Sequence, residues 1–240
     1  MNTVSIVHKD TKIIAHRGVS ALERENTAAA FVAAGNRSYF GIETDVHRTA
    51  DGKFILIHDD TTTRVTGGVN LTVEKTDFST LRGLKLLDIG GDSRADLVLP
   101  TPEEYFSICR KYDKTAVFEL KNPFTEEEIK EIVALVKKTG WLYRTIFISF
   151  SFFNVKTLRK LLPDANIQYL YYEPITHEFA AMLAKEKLDL DVRHDRLTPE
   201  TVAMLKEKGI IINCWTVDDP ERAAALVAMG VDYITTNRLE

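Results

Sequence analysis

Glu43 and Asp45 stand two residues apart, as do Glu119 and Lys121, each pair inside an apolar run. In an extended strand that spacing puts both members of a pair on one face. Three carboxylates brought together oppose one another's ionisation unless something positive lies among them. One divalent cation, Mg²⁺ or Ca²⁺, answers that need, because both ions prefer carboxylate oxygen. The other answer is an ion-pair network in which Arg17 and Lys121 neutralise the acids. His16 and His58 also close apolar runs, in His16-Arg17-Gly18 and His58-Asp59-Asp60. A single histidine there is most simply a hydrogen-bonding strand end, but two aimed at one charged pocket suggest a proton donor and a proton acceptor. Arg17 and Lys121 then suit an anionic substrate, Arg through bidentate contact with a phosphate and Lys as a point charge. The chemistry expected is metal-assisted phosphoryl transfer. Trp215, beyond a strand end, reads equally as core packing or as a wall for substrate. His47, His177 and His194 are expected on exposed loops or helix ends, and Tyr169 to Tyr172 in packing.

These residues come together only if the chain supplies the right frame. Strand-like runs occupy 12–15, 40–46, 54–58, 115–120, 145–150, 166–171, 188–192, 210–215 and 232–235, mostly separated by segments with helical signals. The helical signals are specific in places. Thr101-Pro102-Glu103-Glu104 reads as an N-cap, a proline at the first helical position and a capping-box glutamate. Thr125 followed by three glutamates opens a helix over 125–138 that ends near Gly140, with lysines at its C-terminal end. Thr198-Pro199 and Asp219-Pro220 open two more, and 26–34 forms another. The 54–58 run follows 40–46 across Asp51-Gly52, a hairpin dipeptide, and is set aside as an antiparallel appendage. Eight runs remain, the count of a closed (β/α)₈ barrel, whose active sites lie at the C-terminal ends of the strands. Every charged pair above falls at such an end, as do Ser149 and Trp215-Thr216. Regular periodicity fails between 59 and 99, where a short helix near 79–82 is the one expected element; the segment reads as a small insertion over one barrel face.

Length and composition agree with one domain spanning 1–240. A barrel of this kind takes about 250 residues. Apolar residues at 45% and charged residues at 28% exclude a disordered chain. With 31 basic and 35 acidic residues the formal charge is −4, which argues against nucleic acid as a partner. No apolar run reaches membrane-spanning length, so no stable membrane insertion is expected. The N-terminal residues lack the apolar stretch of a secretory signal, and Cys109 and Cys214 show no CxxC spacing. A cytoplasmic enzyme with two buried thiols is the expectation, and nothing in the pattern opposes a homo-oligomer.

His16-Arg17-Gly18, Glu25-Asn26-Thr27, Glu43-x-Asp45, Asp51-Gly52, His58-Asp59-Asp60-Thr61, Arg64, Leu87-Asp88-Ile89-Gly90, Pro100-Thr101-x-Glu103-Glu104, Glu119-x-Lys121 and Trp215-Thr216-Val217 follow one another in an order that resembles the glycerophosphodiester phosphodiesterase family. The resemblance implies a TIM-barrel hydrolase that converts glycerophosphodiesters to glycerol 3-phosphate and an alcohol. It implies Glu43, Asp45 and Glu119 as metal ligands, His16 and His58 as general acid and base, Arg17 and Lys121 as phosphate ligands, and Trp215 as a wall of the glycerol pocket. It implies the glycerol 2-hydroxyl as nucleophile, through a cyclic phosphate that water opens. His16 is favoured as the base. A lysophospholipase D acting on lipid substrates, with an apolar entry on 65–99, and a silent binder of phosphate esters are the alternatives. Three positions depart from the family's pattern. Arg24 replaces the proline before Glu-Asn-Thr, which predicts a looser loop. Arg64-Val65-Thr66 replaces Arg-Thr-Thr, and Thr235-Thr236 replaces Thr-Asp, which predicts one acid fewer on the rim.

Overall fold

Each of the nine expected runs forms a strand in the computed structural model, which describes residues 2–240. They are β1 (Lys12–Ala15), β2 (Gly41–Arg48), β3 (Phe54–Leu56), β4 (Thr115–Leu120), β5 (Thr145–Ser149), β6 (Asn166–Tyr171), β7 (Asp189–Arg193), β8 (Ile212–Trp215) and β9 (Tyr233–Thr236). β1 pairs in parallel with both β2 and β9, and β4 to β8 continue in parallel between them, so eight strands close into a ring. β3 pairs antiparallel with the end of β2, Val46 opposite Leu56 and Arg48 opposite Phe54. β2 therefore runs two residues further than its apolar pattern does, and this extension carries His47.

The helices are α1 (Ala28–Gly35), α2 (Thr63–Thr66), α3 (Phe78–Arg82), α4 (Pro102–Lys111), α5 (Glu126–Lys138), α6 (Phe152–Leu161), α7 (His177–Glu186), α8 (Pro199–Glu207) and α9 (Pro220–Met229). α4 and α5 open on complete capping boxes, Thr101 with Glu104 and Thr125 with Glu128. Each cap is worth about 1 kcal/mol because it satisfies N–H groups that the first turn leaves without partners. α5 buries Ile129, Ile132, Val133 and Val136, one stripe at helical spacing, against the outside of the barrel. α6 and α7 carry weaker signals, and their starts are set by Ser151 and Thr176 caps.

Inside the ring Ile14, Val117, Ile146, Ile148, Leu170 and Tyr233 pack together. Among them, level with Ile14, Ile148 and Tyr233, polar side chains pair with one another, Asn213 donating to Gln168 at 3.2 Å and Thr235 donating to Asn213 at 3.1 Å. Between β3 and α4 the chain forms α2, a 3₁₀ turn at Val73–Lys75 and α3. Val65, Val73, Leu81, Leu86, Leu97 and Leu99 there bury themselves with Ile55 and Ile57 in a cluster of their own.

Cys109 and Cys214 are buried and unpaired. Burial pushes the Cys109 thiol up to about 12 and raises that of Cys214 further. Neither thiol should react with a water-soluble disulfide reagent at pH 8 in the native state, and both should react at once in guanidinium. Stoichiometric labelling of the folded protein would contradict this packing.

Candidate active site

β1 ends at Ala15, and the chain then turns sharply, with Arg17 at φ 54° and Gly18 at φ 78°. A Cβ at Gly18 would lie 2.6 Å from the Ala30 Cβ, so no other residue fits between this turn and α1. The left-handed Arg17 aims its own N–H at Glu43 Oε2, at 2.7 Å, and its guanidinium across the rim to Glu25 at 2.8 Å and to Asp45 at 3.5 Å. β2 and β4 lie side by side with Asp45 opposite Glu119, which brings Glu43, Asp45 and Glu119 into one buried cluster with carboxylate oxygens within 4.8 Å of one another. Lys121 Nζ stands 3.1 Å from Glu119 and 3.4 Å from Asp45.

His16, Arg17, Glu43, His58, Glu119, Lys121 and Trp215 all line one pocket of about 110 Å³, whose other wall includes Ile148, Phe150, Leu170 and Asp191. A larger groove of about 470 Å³ lies at the opposite mouth, lined by Lys9, Asp10, Lys12 and Asp232, and none of the expected site residues reaches it. The expected site residues therefore meet at a single mouth, with Asp45 just behind them.

The charges are unevenly matched. Burial, then the charges of Asp45 and Glu119, raise Glu43 well above the usual carboxylate range. Burial and Asp45 push Glu119 up to about 8 against the pull of Lys121. Burial opposes ionisation of Asp45 as well, but Arg17, Lys121 and His58 outweigh it and hold its carboxyl low. Asp45 Oδ1 still has no hydrogen bond. Three carboxylates with two cations beside them remain short of positive charge, which is the condition a bound dication relieves.

The two imidazoles have different neighbours. His16 Nδ1 lies 2.8 Å from Asn237 Oδ1. The Asn237 amide is oriented by Asp218, a carboxylate that accepts from both Asn237 N–H groups, so its oxygen faces His16 and His16 carries its proton on Nδ1. Burial and Arg17 lower His16 to about 4. His58 Nδ1 instead lies 2.8 Å from the Asp59 carboxylate. Burial, Arg17 and Lys121 lower His58, while Asp45 and Asp59 pull it back up. Asp59 is gripped in turn by Arg64 at 2.7 Å, and Arg64 grips Glu25 at 2.7 Å.

A sequence profile described as the glycerophosphoryl diester phosphodiesterase family matches residues 16–240. The chain belongs to this family. Membership makes it a phosphodiesterase on a (β/α)₈ barrel. It is 33% identical over 235 residues to a glycerophosphodiester phosphodiesterase of Caldanaerobacter subterraneus subsp. tengcongensis, covering 95% of this chain and 94% of that one. Among solved structures it is similar to an Oleispira antarctica phosphodiesterase in complex with the product sn-glycerol-3-phosphate, with TM-score 0.84, 25% identity and coverage of 94% and 92%. It is also similar to a glycerophosphodiester phosphodiesterase from Parabacteroides distasonis, with TM-score 0.78, 29% identity and coverage of 96% and 94%.

Several expectations about this phosphodiesterase need correction. His47 is not on an exposed loop: it is fully buried on β2, covered by Glu74 and Asn122, with Nε2 3.4 Å from the His58 carbonyl. The period-two count that put Glu43 and Asp45 on one face continues to His47 and would have found it. Ser149 does not reach the pocket, since its hydroxyl donates to the Leu120 carbonyl and accepts from Asn154. Arg24 does not loosen its loop but donates to the carbonyls of Leu87 and Asp88, tying the loop to the following segment. Thr236 turns to Asp218 at 2.9 Å, and the neighbouring Asn237 is the residue that faces His16. Asn237 and Asp191 gave no motif signal.

Proposed function

We propose that this enzyme hydrolyses glycerophosphodiesters to glycerol 3-phosphate and an alcohol, with His16 as the proton acceptor and His58 as the proton donor. The reading is carried by the convergence of two imidazoles, Arg17 and Lys121 on the buried Glu43–Asp45–Glu119 cluster. Those three carboxylates would hold one divalent cation, and an all-oxygen donor set suits Mg²⁺ or Ca²⁺. When bound, the cation would offset the charge on the phosphate oxygens and make an attacking hydroxyl more acidic.

The protein's own groups divide the remaining work. Arg17 and Lys121 orient the phosphate and offset charge developing on its oxygens. The Asn237 contact leaves the His16 Nε2 lone pair free, and a ring of lowered pKa stays neutral at pH 7, so it can take the proton of the glycerol 2-hydroxyl as that oxygen attacks phosphorus. The bond from phosphorus to the departing alcohol breaks, and that oxygen takes a proton from His58, whose cationic form Asp59 stabilises. Water then opens the cyclic phosphate with the proton roles reversed. Trp215 forms one wall for the glycerol unit. The fold works as one unit, with residues 59–99 as its accessory segment. Two unpaired thiols favour a reducing, cytoplasmic setting, and among the described residues no helix is long and apolar enough to cross a membrane.

Purified protein incubated with glycerophosphocholine and Mg²⁺ or Ca²⁺ should yield glycerol 3-phosphate, detected through glycerol 3-phosphate dehydrogenase. EDTA should abolish the product and either ion restore it. Returning the ion to EDTA-treated protein at pH 7 should also release protons, because Glu119, pushed up to about 8, holds one in its absence. No product with either ion across several headgroups would overturn the reading.

A further inference from the structure

Four polar atoms around the pocket are buried without a hydrogen-bond partner: Arg17 Nε, Asp45 Oδ1, Asp191 Oδ1 and Trp215 Nε1. The first two belong to the charged cluster, where a bound phosphate and cation would account for them. The other two lie across the pocket and have no part in the proton transfers above. Asp191 is 2% exposed on β7 and lines the pocket beside Leu170 and Ile148. Its orphaned oxygen is not a general property of the barrel interior, because its neighbours Gln168, Asn213 and Thr235 satisfy one another. Buried polar atoms of this kind are rarely left unmet when the protein is at work.

Strand register adds the second half of the argument. Asp191 stands opposite Asn213 and Arg193 opposite Trp215, so Asp191 lies one pleat deeper than Trp215 on the adjoining strand. One orphan is a carboxyl oxygen and the other an indole N–H that can only donate. A single ligand group that gives one hydrogen bond and takes another satisfies both. An alcohol does this. An ester or ether oxygen can only accept, and a methyl group does neither.

We propose that Asp191 and the Trp215 indole together hold the free terminal hydroxyl of the substrate's glycerol unit, which makes Asp191 a specificity-determining residue. The proposal rests on the pocket being a glycerophosphodiester site. It names the substrate class as diesters whose glycerol carries a free hydroxyl on the carbon furthest from phosphorus. A lysophospholipid acylated on that carbon loses the donor and brings a chain to the pocket floor, so it is rejected.

The test compares glycerophosphocholine with its analogue in which propane-1,2-diol replaces glycerol, a diester that keeps the attacking hydroxyl and lacks only the terminal one. A pocket built around a hydroxyl discriminates strongly against the analogue without it, because its own groups stay unpaired. Wild-type kcat/KM should fall at least about 100-fold on the analogue. Asp191→Leu should lose a similar factor on glycerophosphocholine and change little on the analogue, and 1-acyl lysophosphatidylcholine should be a poor substrate for the wild type. Asp191→Asn, which keeps the shape, guards against a folding defect in the leucine variant, and thermal melts of both check it. Wild-type turnover of the analogue within a few-fold of glycerophosphocholine overturns the proposal while leaving the phosphodiesterase reading intact. If neither diester is turned over, that reading is what fails. The hydroxyl site is then judged by calorimetry with glycerol 3-phosphate and its 1-deoxy analogue, and equal affinity for the two overturns it.

Discussion

Alanine in place of His58 should lower kcat on glycerophosphocholine by about 10²–10⁴-fold, the usual worth of a positioned proton donor. Most of that loss should disappear when the departing alcohol is p-nitrophenol, which leaves as a stable phenolate and needs no proton. His16→Ala should lose a comparable factor on both substrates, because the attacking hydroxyl must be deprotonated whatever departs. The asymmetry follows from what each ring touches. Asn237 is neutral and favours a cationic His16 through one hydrogen bond only, which burial and Arg17 outweigh, whereas Asp59 is a carboxylate pushed down to about 2 by Arg64 and stands ready beside His58. Equal losses for His58→Ala on the two substrates would remove its role as donor. The reverse pattern, with His16→Ala rescued by the better leaving group, would exchange the two assignments.

Glu119→Gln should have effects of opposite sign with and without the cation. In the metal-free protein burial and Asp45 raise the Glu119 carboxyl from 4.5 to about 8. A raised carboxyl favours its protonated form in the folded state, so stability is full below the unfolded value and drains away as pH climbs from 4.5 towards about 8. Glutamine cannot ionise and escapes that loss. In EDTA the variant should melt with the wild type near pH 4.5 and several degrees above it at pH 9. Adding Mg²⁺ or Ca²⁺ should raise the wild-type melting temperature, leave the variant's nearly unmoved, and reveal about a 10²–10³-fold deficit in kcat/KM. Asp45→Asn should behave differently, because Arg17 and Lys121 hold Asp45 ionised and would lose their shared counter-charge. That variant should melt below the wild type at pH 7 even in EDTA. A Glu119→Gln protein no more stable than wild type at pH 9 without metal would contradict the description of the cluster.

Much of this arrangement was legible because its causes are local. Thr101-Pro102-x-Glu104 closes its capping box within one turn, Asp51-Gly52 makes its hairpin with Gly52 at φ 77°, and Glu43-x-Asp45 shares a face by strand geometry alone. What escaped depends on groups far apart in the chain. Asn237 reaches His16 across 221 positions, and the strand order that makes this possible appears only when the ring closes. Nothing in the run around Asp191 says that its oxygen faces a pocket. The face His47 shares with Glu43 and Asp45 follows from strand spacing, but its burial does not, because the covering groups Glu74 and Asn122 come from the irregular segment and from the loop after β4. The helices α6 and α7 are faint because their starts rest on single hydroxyl caps, with no acid in the first turn of α6 and only Glu178 in that of α7, where α4 and α5 carry several acids and a complete capping box.

Arg64 sits in the segment outside the barrel, yet through Glu25 it braces Arg17, and through Asp59 it braces His58. Chimaeras that exchange this outer excursion for a relative's, in search of new headgroup preferences, therefore cannot treat it as a detachable ornament. A graft that omits the guanidinium would slacken both walls of the pocket at once and sacrifice turnover along with selectivity. One that carries it over leaves the rest of the excursion open to redesign.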